Sequence, residues 1–474
     1  MEKIKDREVT VLVRKNMREY GIEVNEERSV PCVIDGLKPV QRRILWAMHR
    51  LGLEKGTPIK AARTVGDTIG KYSPHGDSAT YDAMVTLANH LVPTVLGKGN
   101  WGSKTGDKAA HYRYTNAKLS AYGAAFFDPY YMPVIDLVPN YDGKDQEPVI
   151  LHAPLPNILL NGSSGIGVGL TTEIPAYTPK SVVALLKHAI QNGPATALDC
   201  YRMLDFATES NGKVFRKSQK AALRQLYTTG IGSIKFRSRI EWVAQKKAWH
   251  LTGVAPFRGV DNYVAKIWSV AEIDGVSNVE DRSKNYNIDF WIYSSGRNVE
   301  DVGRKIYDHL TSVMHYKCNV NERKFVNKTG LPEVEVTLHN MTVPQMVNRW
   351  LIWRRDLEIR ATKYHIGEVV KALRRNEILL LAVKHRDYII SLIQSKYTDE
   401  QIKKGLRDTL KLQPSEVSIV FDLQWRKLRA LEGAELEKQR SDLESTKKTY
   451  EDRTKRPEPW IIKHLDKMEA LCSN

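Results

Sequence analysis

Ala62-Arg63-Thr64-Val65-Gly66-Asp67-Thr68-Ile69-Gly70-Lys71-Tyr72-Ser73-Pro74-His75-Gly76-Asp77-Ser78-Ala79-Thr80-Tyr81-Asp82-Ala83-Met84 is the stretch on which the fold of the N-terminal region turns. It reads as one helix, a turn broken by Pro74 and Gly76, and a second helix capped by Asp77 or Ser78. Proline cannot continue a helix and glycine frees the backbone, so two helices meet at a short turn, the pattern of a helix-turn-helix. Ser78 and Asp82 stand four residues apart and share one face at the beginning of the second helix. They lie close to whatever that helix docks against.

Upstream, Asp35-Gly36-Leu37-Lys38-Pro39-Val40-Gln41-Arg42-Arg43-Ile44-Leu45 places Lys38, Arg42 and Arg43 at the start of another helix, whose apolar side continues to Met48. Cations there oppose the helix dipole, so their placement predicts an external anion that compensates them; a solvated basic face is the alternative. Downstream, Gly97-Lys98-Gly99-Asn100-Trp101-Gly102-Ser103 is a loop that takes positive φ or approaches a ligand closely. It leads into Ala109-Ala110-His111-Tyr112-Arg113-Tyr114-Thr115. A tyrosine can act as a covalent nucleophile. With a pKa near 10, only about a thousandth of it is ionised at neutral pH, so it needs adjacent positive charge. Arg113 supplies that charge in sequence, and Arg28, Lys38, Arg42 and Arg43 are candidates to supply it in space. A tyrosine beside an arginine is, by itself, an ordinary surface pair.

Further out, residues 134–340 turn strand-rich, with alternating runs at 234–240, 287–293 and 333–338, which predicts an α+β domain. No proline occurs between Pro344 and Pro414, and Met346, Trp350, Trp353, Leu357, Ala361 and Tyr364 recur at the spacing of a long helix with a packed seam. A second charged helical run over 432–471 is expected to fold back along it as an antiparallel partner, with residues 398–431 as the tip. Ile419, Val420, Phe421, Leu423 and Trp425 make that tip a candidate dimer contact, or else pack internally at the turn.

The 474 residues are 42% hydrophobic, enough for a buried core divided among roughly two to four domains. With 72 Lys and Arg against 55 Asp and Glu, the net charge of +17 points first to a polyanionic partner, because phosphate contacts release counterions. Cys32, Cys200, Cys318 and Cys472 are far apart and form no CxxC pair, so neither a zinc site nor a disulfide framework is signalled and a reducing setting fits. No signal peptide and no apolar run of about 20 residues appears, so no membrane partner is expected.

Four segments of the chain closely resemble, in order and spacing, the breakage-reunion domain of the A subunit of DNA gyrase and of its relatives, the A subunit of topoisomerase IV and the medium subunit of T-even phage topoisomerase. They are the 35–43 segment, Gly70 to Ser78, Arg113-Tyr114-Thr115, and Asn161-Gly162-Ser163-Ser164-Gly165-Ile166-Gly167-Val168-Gly169. The resemblance implies an α+β multidomain chain. It would have an N-terminal arm (1–23), a winged-helix DNA-cleavage domain (24–133), a tower (134–340), and a coiled-coil arm ending in a dimer exit gate (341–474).

The resemblance carries the catalytic role onto Tyr114, with Arg113 as its electrostatic helper; Tyr112 is the rival phenol and lacks the matching context. Arg28, Lys38, Arg42 and Arg43 fall where relatives place basic residues around the scissile phosphate, and His75 matches a histidine of the same site. Ile166 looks like an intercalating wedge, or else an apolar plug beneath a tight turn. Ser78 and Asp82 correspond to positions that contact quinolone-type inhibitors. Ser73 and Gln41 stand where cellular relatives often carry histidine, which leaves His75 as the candidate general acid.

The sequence has no GxxxxGK[ST] loop and no Glu with an Asp-x-Asp cluster, so the resemblance assigns Mg²⁺ and ATP to a B-type TOPRIM/ATPase partner. This chain would act on double-stranded DNA as a homodimer within a heterotetramer or larger complex. The absence of a counterpart to the gyrase wrapping domain leads to an expectation of relaxation or decatenation in bacterial cytoplasm, with a lean toward a phage-encoded enzyme.

Overall fold

The computed structural model describes residues 9–102, 107–208, 211–256, 260–284, 287–294, 298–327, 330, 332–395, 397–422 and 433–473. It divides into two units, Met1–Arg354 with Ile462–Asn474, and Arg355–Ile461. The architecture is mixed α and β.

In the first unit, helix α1 (Val9–Val24) runs directly into a π-helical turn, Asn25–Ser29. Helix α2 (Pro39–Arg50) begins at a proline, whose missing N–H is no loss at a first helical position. Its start is closed by the Gln41 side chain, whose Oε1 accepts from the Lys38 N–H at 3.0 Å. Ile44, Leu45 and Met48 are fully buried, as the apolar pattern requires.

Helices α3 (Ala61–Lys71) and α4 (Asp77–Asn89) are joined by the turn 72–76. The cap of α4 differs from the expectation: Gly76 occupies the N-cap, and Asp77 is the first helical residue, its Oδ1 accepting from the Ser78 N–H at 2.8 Å. Against the pair lies a three-stranded antiparallel sheet of β1 (Ile59–Lys60), β2 (Val95–Lys98) and β3 (Asn116–Leu119), with β3 in the middle.

A five-stranded sheet follows, in the order Lys213–Val214, Ile231–Arg237, Ser312–Lys317, Thr171–Ile174, Ser163–Ile166. The alternating run predicted over 234–240 is two strands rather than one. The chain turns at buried Ser238, whose hydroxyl donates to the Leu310 carbonyl at 3.0 Å, and Arg239–Val243 enters a second, four-stranded sheet. That sheet packs Ile240, Leu251, Phe290 and Ile292 against Ile267, Val302 and Ile306 from two helices. A hairpin, Asn319–Val326 with Glu333–Asn340, is fixed to the segment before α2. Asn321 donates from its backbone to Pro31 and accepts from Val33, both at 2.9 Å.

The helix Val343–Lys384 starts in the first unit and continues into the second. Met346, Trp350, Leu357 and Ala361 are buried along it as the seam predicts, whereas Tyr364 is exposed. Within the second unit, Glu358 is fully buried and ion-paired to Arg453, His365 lies near Tyr450, and the Asn376 amide donates to the Leu436 carbonyl. Partners that descend in number as the first helix ascends define an antiparallel pair. The return run is broken: Gly433–Lys455 ends before Pro457, and Glu458–Ser473 starts afresh, because proline interrupts the hydrogen-bond ladder. Val420 is buried, and Ile419 and Phe421 pack onto a core of Ile378, Ile389, Leu406 and Leu410, so these three tip residues pack internally; Leu423 and Trp425 lie outside the described residues.

Candidate nucleic-acid interface

Tyr114 sits on a tight turn two residues before β3, and its N–H donates to the His111 carbonyl at 2.8 Å. The turn is held from beneath by Tyr81 of α4. The Tyr81 hydroxyl donates to the Ala110 carbonyl at 2.7 Å and lies 3.0 Å from Oγ1 of Thr115, which is fully buried. Thr115 in turn accepts at its carbonyl from the first N–H of α3. The Tyr114 side chain is 64% exposed, and the Arg113 guanidinium lies over its ring, 4.9 Å from the centroid. Among the described residues no side chain bonds the Tyr114 hydroxyl.

Tyr112 is placed otherwise. Its hydroxyl donates to Oδ2 of Asp77 at 2.6 Å. That bond raises the Tyr112 pKa and is the first cause of the lowered Asp77 pKa. Of the two phenols, Tyr114 is therefore the one that is both uncommitted and covered by a cation. The glycine loop preceding them takes positive φ at Gly99 and Gly102, as expected, and packs closely on its own Trp101: a Cβ at Gly97 would collide with the indole ring.

The cations predicted around the tyrosine separate into two groups. Arg42 is buried, and its Nε and Nη2 donate to the two oxygens of the fully buried Asp35 at 2.6 and 2.9 Å. Arg43 makes the same two-pronged contact with Glu147, at 2.7 and 2.9 Å. Both guanidinium groups are thus held by carboxylates of this chain, Asp35 within the same segment and Glu147 remote in sequence. Lys38 and Arg28 remain. Arg28 is exposed on the π-helical turn, and Lys38 donates through Nζ to the Ser164 carbonyl at 2.7 Å, with burial lowering its pKa.

Ser164 belongs to the hairpin that carries Ile166, which is 83% exposed and so is not a plug. Two residues that sequence reading missed hold this hairpin. Asn25 clamps the Val168 backbone, donating to its carbonyl and accepting from its N–H, each at 3.0 Å, and Ser29 donates to the Ile166 carbonyl at 2.9 Å. The glycines at 165 and 167 are required by this docking, since a Cβ at either would run into Ser29 or Asn25. No local pattern around Asn25 signals the role; it exists only in three dimensions. The π-helical turn therefore presents Arg28 while bracing Ile166.

Ser78 and Asp82 are exposed near the start of α4, and His75 is exposed on the turn before it. Ser73 is fully buried, and among the described residues its hydroxyl finds no hydrogen-bond partner. Among the described residues nothing bonds His75 or Asp82 to Tyr114.

These features define a class of protein, one of mixed α/β architecture that presents an arginine-covered tyrosine beside a helix–turn–helix pair and braces an apolar-tipped hairpin with cations around it. The chain belongs to the family of DNA gyrase/topoisomerase IV A-type subunits, whose profile matches residues 28–466. It is similar to the A subunit of DNA topoisomerase 4 from Escherichia coli, 33% identical over 440 residues that cover 90% of this chain and 56% of that protein. It is likewise similar to the A subunit of DNA gyrase from Streptococcus pneumoniae, 30% identical over 449 residues covering 92% and 53%. The corresponding gyrase chain of Clostridium acetobutylicum is 32% identical over 449 residues covering 92% and 52%. The chain spans about half the length of the curated relatives it matches.

Proposed function

We propose that this chain is the DNA-cleaving and rejoining subunit of an ATP-dependent type IIA topoisomerase, with Tyr114 as the nucleophile. The observation that carries the reading is the pair of phenols: Tyr114 exposed beneath Arg113, Tyr112 bonded to Asp77. In the proposed step the Tyr114 phenolate oxygen bonds to a backbone phosphorus and the P–O3′ bond breaks. The strand is left with a 5′-phosphotyrosyl ester and a 3′-hydroxyl that takes up a proton. Rejoining is the reverse, so the cycle consumes neither water nor oxidant at the phosphate. Arg113 and Arg28 stabilise the developing charge, His75 is the proposed proton donor, and Lys38 and Ile166 contact the DNA. Ser78 and Asp82 face the duplex from α4, and Arg42 and Arg43 act through the carboxylates they hold.

In this reading the helix–turn–helix pair and its small sheet form a winged helix within 24–133. Residues 1–23 form an arm, 134–340 a tower that supports bent DNA, and 341–474 a coiled-coil arm and exit gate. Among the described residues no group of three or more His, Cys, Asp and Glu side chains is placed to hold a metal ion. Mg²⁺ and ATP are assigned to a B-type partner, in a complex that acts in bacterial cytoplasm. No helix among the described residues is long and apolar enough to cross a membrane.

The test mixes the chain with a TOPRIM/ATPase partner, Mg²⁺, ATP and supercoiled plasmid, then quenches with detergent. Linear DNA carrying covalent protein is expected; DNA binding with no adduct would leave only a silent binding relative. Arg113→Ala should retain slow cleavage, down about 10²–10³-fold, as for loss of one preorganised electrostatic donor.

Two tyrosines must attack opposite strands, so the chain is expected to be a two-fold dimer with the 398–431 region as one contact. Light scattering at micromolar concentration checks this, and a monodisperse monomer both alone and on DNA counts against it. Replacing Ile166 with Ala is expected to reduce DNA bending and cleavage while leaving salt-dependent affinity largely intact. The wedge supplies deformation and the cations supply attraction. An unchanged bend angle by energy transfer would remove the wedge assignment.

A further inference from the structure

The turn carrying Tyr114 is fastened at its ends by Tyr81, at Ala110 and Thr115. Between those points His111, Arg113 and Tyr114 are exposed, and the Tyr114 hydroxyl has no partner among the described residues. The middle of the turn is tied by the Tyr112 hydroxyl, which donates to Asp77 at 2.6 Å. Asp77 is the first residue of α4, and its other oxygen accepts from the Ser78 N–H at 2.8 Å, so the acceptor is itself fixed to the helix start. The Tyr112 ring meets Tyr81 edge-on at 5.7 Å and leans on His111 at 4.1 Å.

We propose that the Asp77–Tyr112 bond is a positioning clasp that ties the middle of the tyrosine turn to the first residue of α4 and thereby sets where Tyr114 meets the phosphate. The inference rests on the reading of Tyr114 as nucleophile. An exposed turn held only at its ends lets a side chain wander on the ns–μs scale, and a reacting oxygen displaced by about 1 Å loses on the order of 10² in rate. A bond two residues from the nucleophile removes that freedom without touching the reacting atoms. It also engages the neighbouring phenol, so that one hydroxyl and not two is offered to the phosphate. A charge-assisted O–H···O⁻ bond is strong enough to serve as such a tie.

The test uses the assembled complex with a duplex bearing one cleavage site and compares Tyr112→Phe, Asp77→Ala, Asp77→Asn and the double variant Tyr112→Phe/Asp77→Ala. Tyr112→Phe is expected to slow single-turnover cleavage at saturating DNA by ~10–100-fold, with affinity and unfolding midpoint near wild type. Asp77→Ala should slow it similarly, and the double variant should be no slower than the worse single one, because both remove the same bond. Asp77→Asn should recover much of the rate, since a carboxamide oxygen still accepts from the phenol. Wild-type rates in Tyr112→Phe, losses that multiply in the double variant, or losses explained by a fall in the unfolding midpoint would each overturn the clasp alone. Absence of adduct from the wild-type complex would overturn the nucleophile assignment, and the clasp with it.

Discussion

Tyr114→Phe is expected to abolish DNA cleavage and strand passage while leaving fold and DNA affinity nearly unchanged. The substitution removes one oxygen, the only atom of that side chain able to form an ester with phosphorus. Everything that builds the site stays. The ring remains under the Arg113 guanidinium, and the Tyr81 bonds to Ala110 and Thr115 are untouched. The hydroxyl makes no structural bond among the described residues and the side chain is 64% exposed, so its loss orphans no buried partner. A structural defect is therefore no explanation for lost activity, and the variant isolates chemistry from folding. The measurement is the detergent-trapped adduct with partner chains, Mg²⁺ and plasmid present. Wild-type amounts of adduct from Tyr114→Phe would defeat the assignment, and loss of adduct in Tyr112→Phe with full adduct in Tyr114→Phe would move the nucleophile to Tyr112.

The helices of this region were legible in sequence because their signals are local. Proline at 39 and 74, glycine at 76 and the apolar spacing of Ile44, Leu45 and Met48 all act within a few residues. The seam of the long helix was legible for the same reason. The partner of each charge was not. Three cations in the 38–43 segment look alike on paper, yet Arg42 turns inward to Asp35, Arg43 turns to Glu147, and Lys38 reaches the Ile166 hairpin. Which way a long side chain points is decided by what the fold brings opposite it, and Glu147 and Ser164 arrive from far along the chain. Asn25 illustrates the same limit: its clamp on Val168 depends on the hairpin being there at all. The split of the 234–240 run at Ser238 has a similar origin, since alternation continues through a bend as well as along a strand.

The inward turn of Arg42 sets the second large expectation, which concerns stability. Asp35 is fully buried, and its two oxygens accept from four donors: the Leu37 N–H at 3.1 Å, the Leu151 N–H at 3.1 Å, and two nitrogens of Arg42. Arg42 also donates to the Leu37 carbonyl at 3.2 Å. The pair therefore joins the loop before α2, the helix itself and the 149–151 segment. Replacing the whole pair by apolar residues of matching shape can be nearly neutral, but removing one member leaves a charge in an interior that cannot solvate it. Arg42→Ala is expected to destabilise the first unit by about 3–5 kcal/mol, the usual range for an orphaned buried ion-pair partner. Asp35→Ala should be at least as harmful, because it strands the guanidinium and the Leu37 and Leu151 N–H groups together. Arg43→Ala, whose pair with Glu147 is less deeply buried than the Arg42–Asp35 pair, should cost less. A chain of two units need not unfold in one step, so the comparison is made on the transition of the first unit, followed in urea by tryptophan fluorescence, which that unit dominates because it holds eight of the ten tryptophans. Equal midpoints for Arg42→Ala and Arg43→Ala would mean that the Asp35 pair braces nothing. Arg42→Ala with its midpoint intact and its DNA affinity lost would return that arginine to the phosphate.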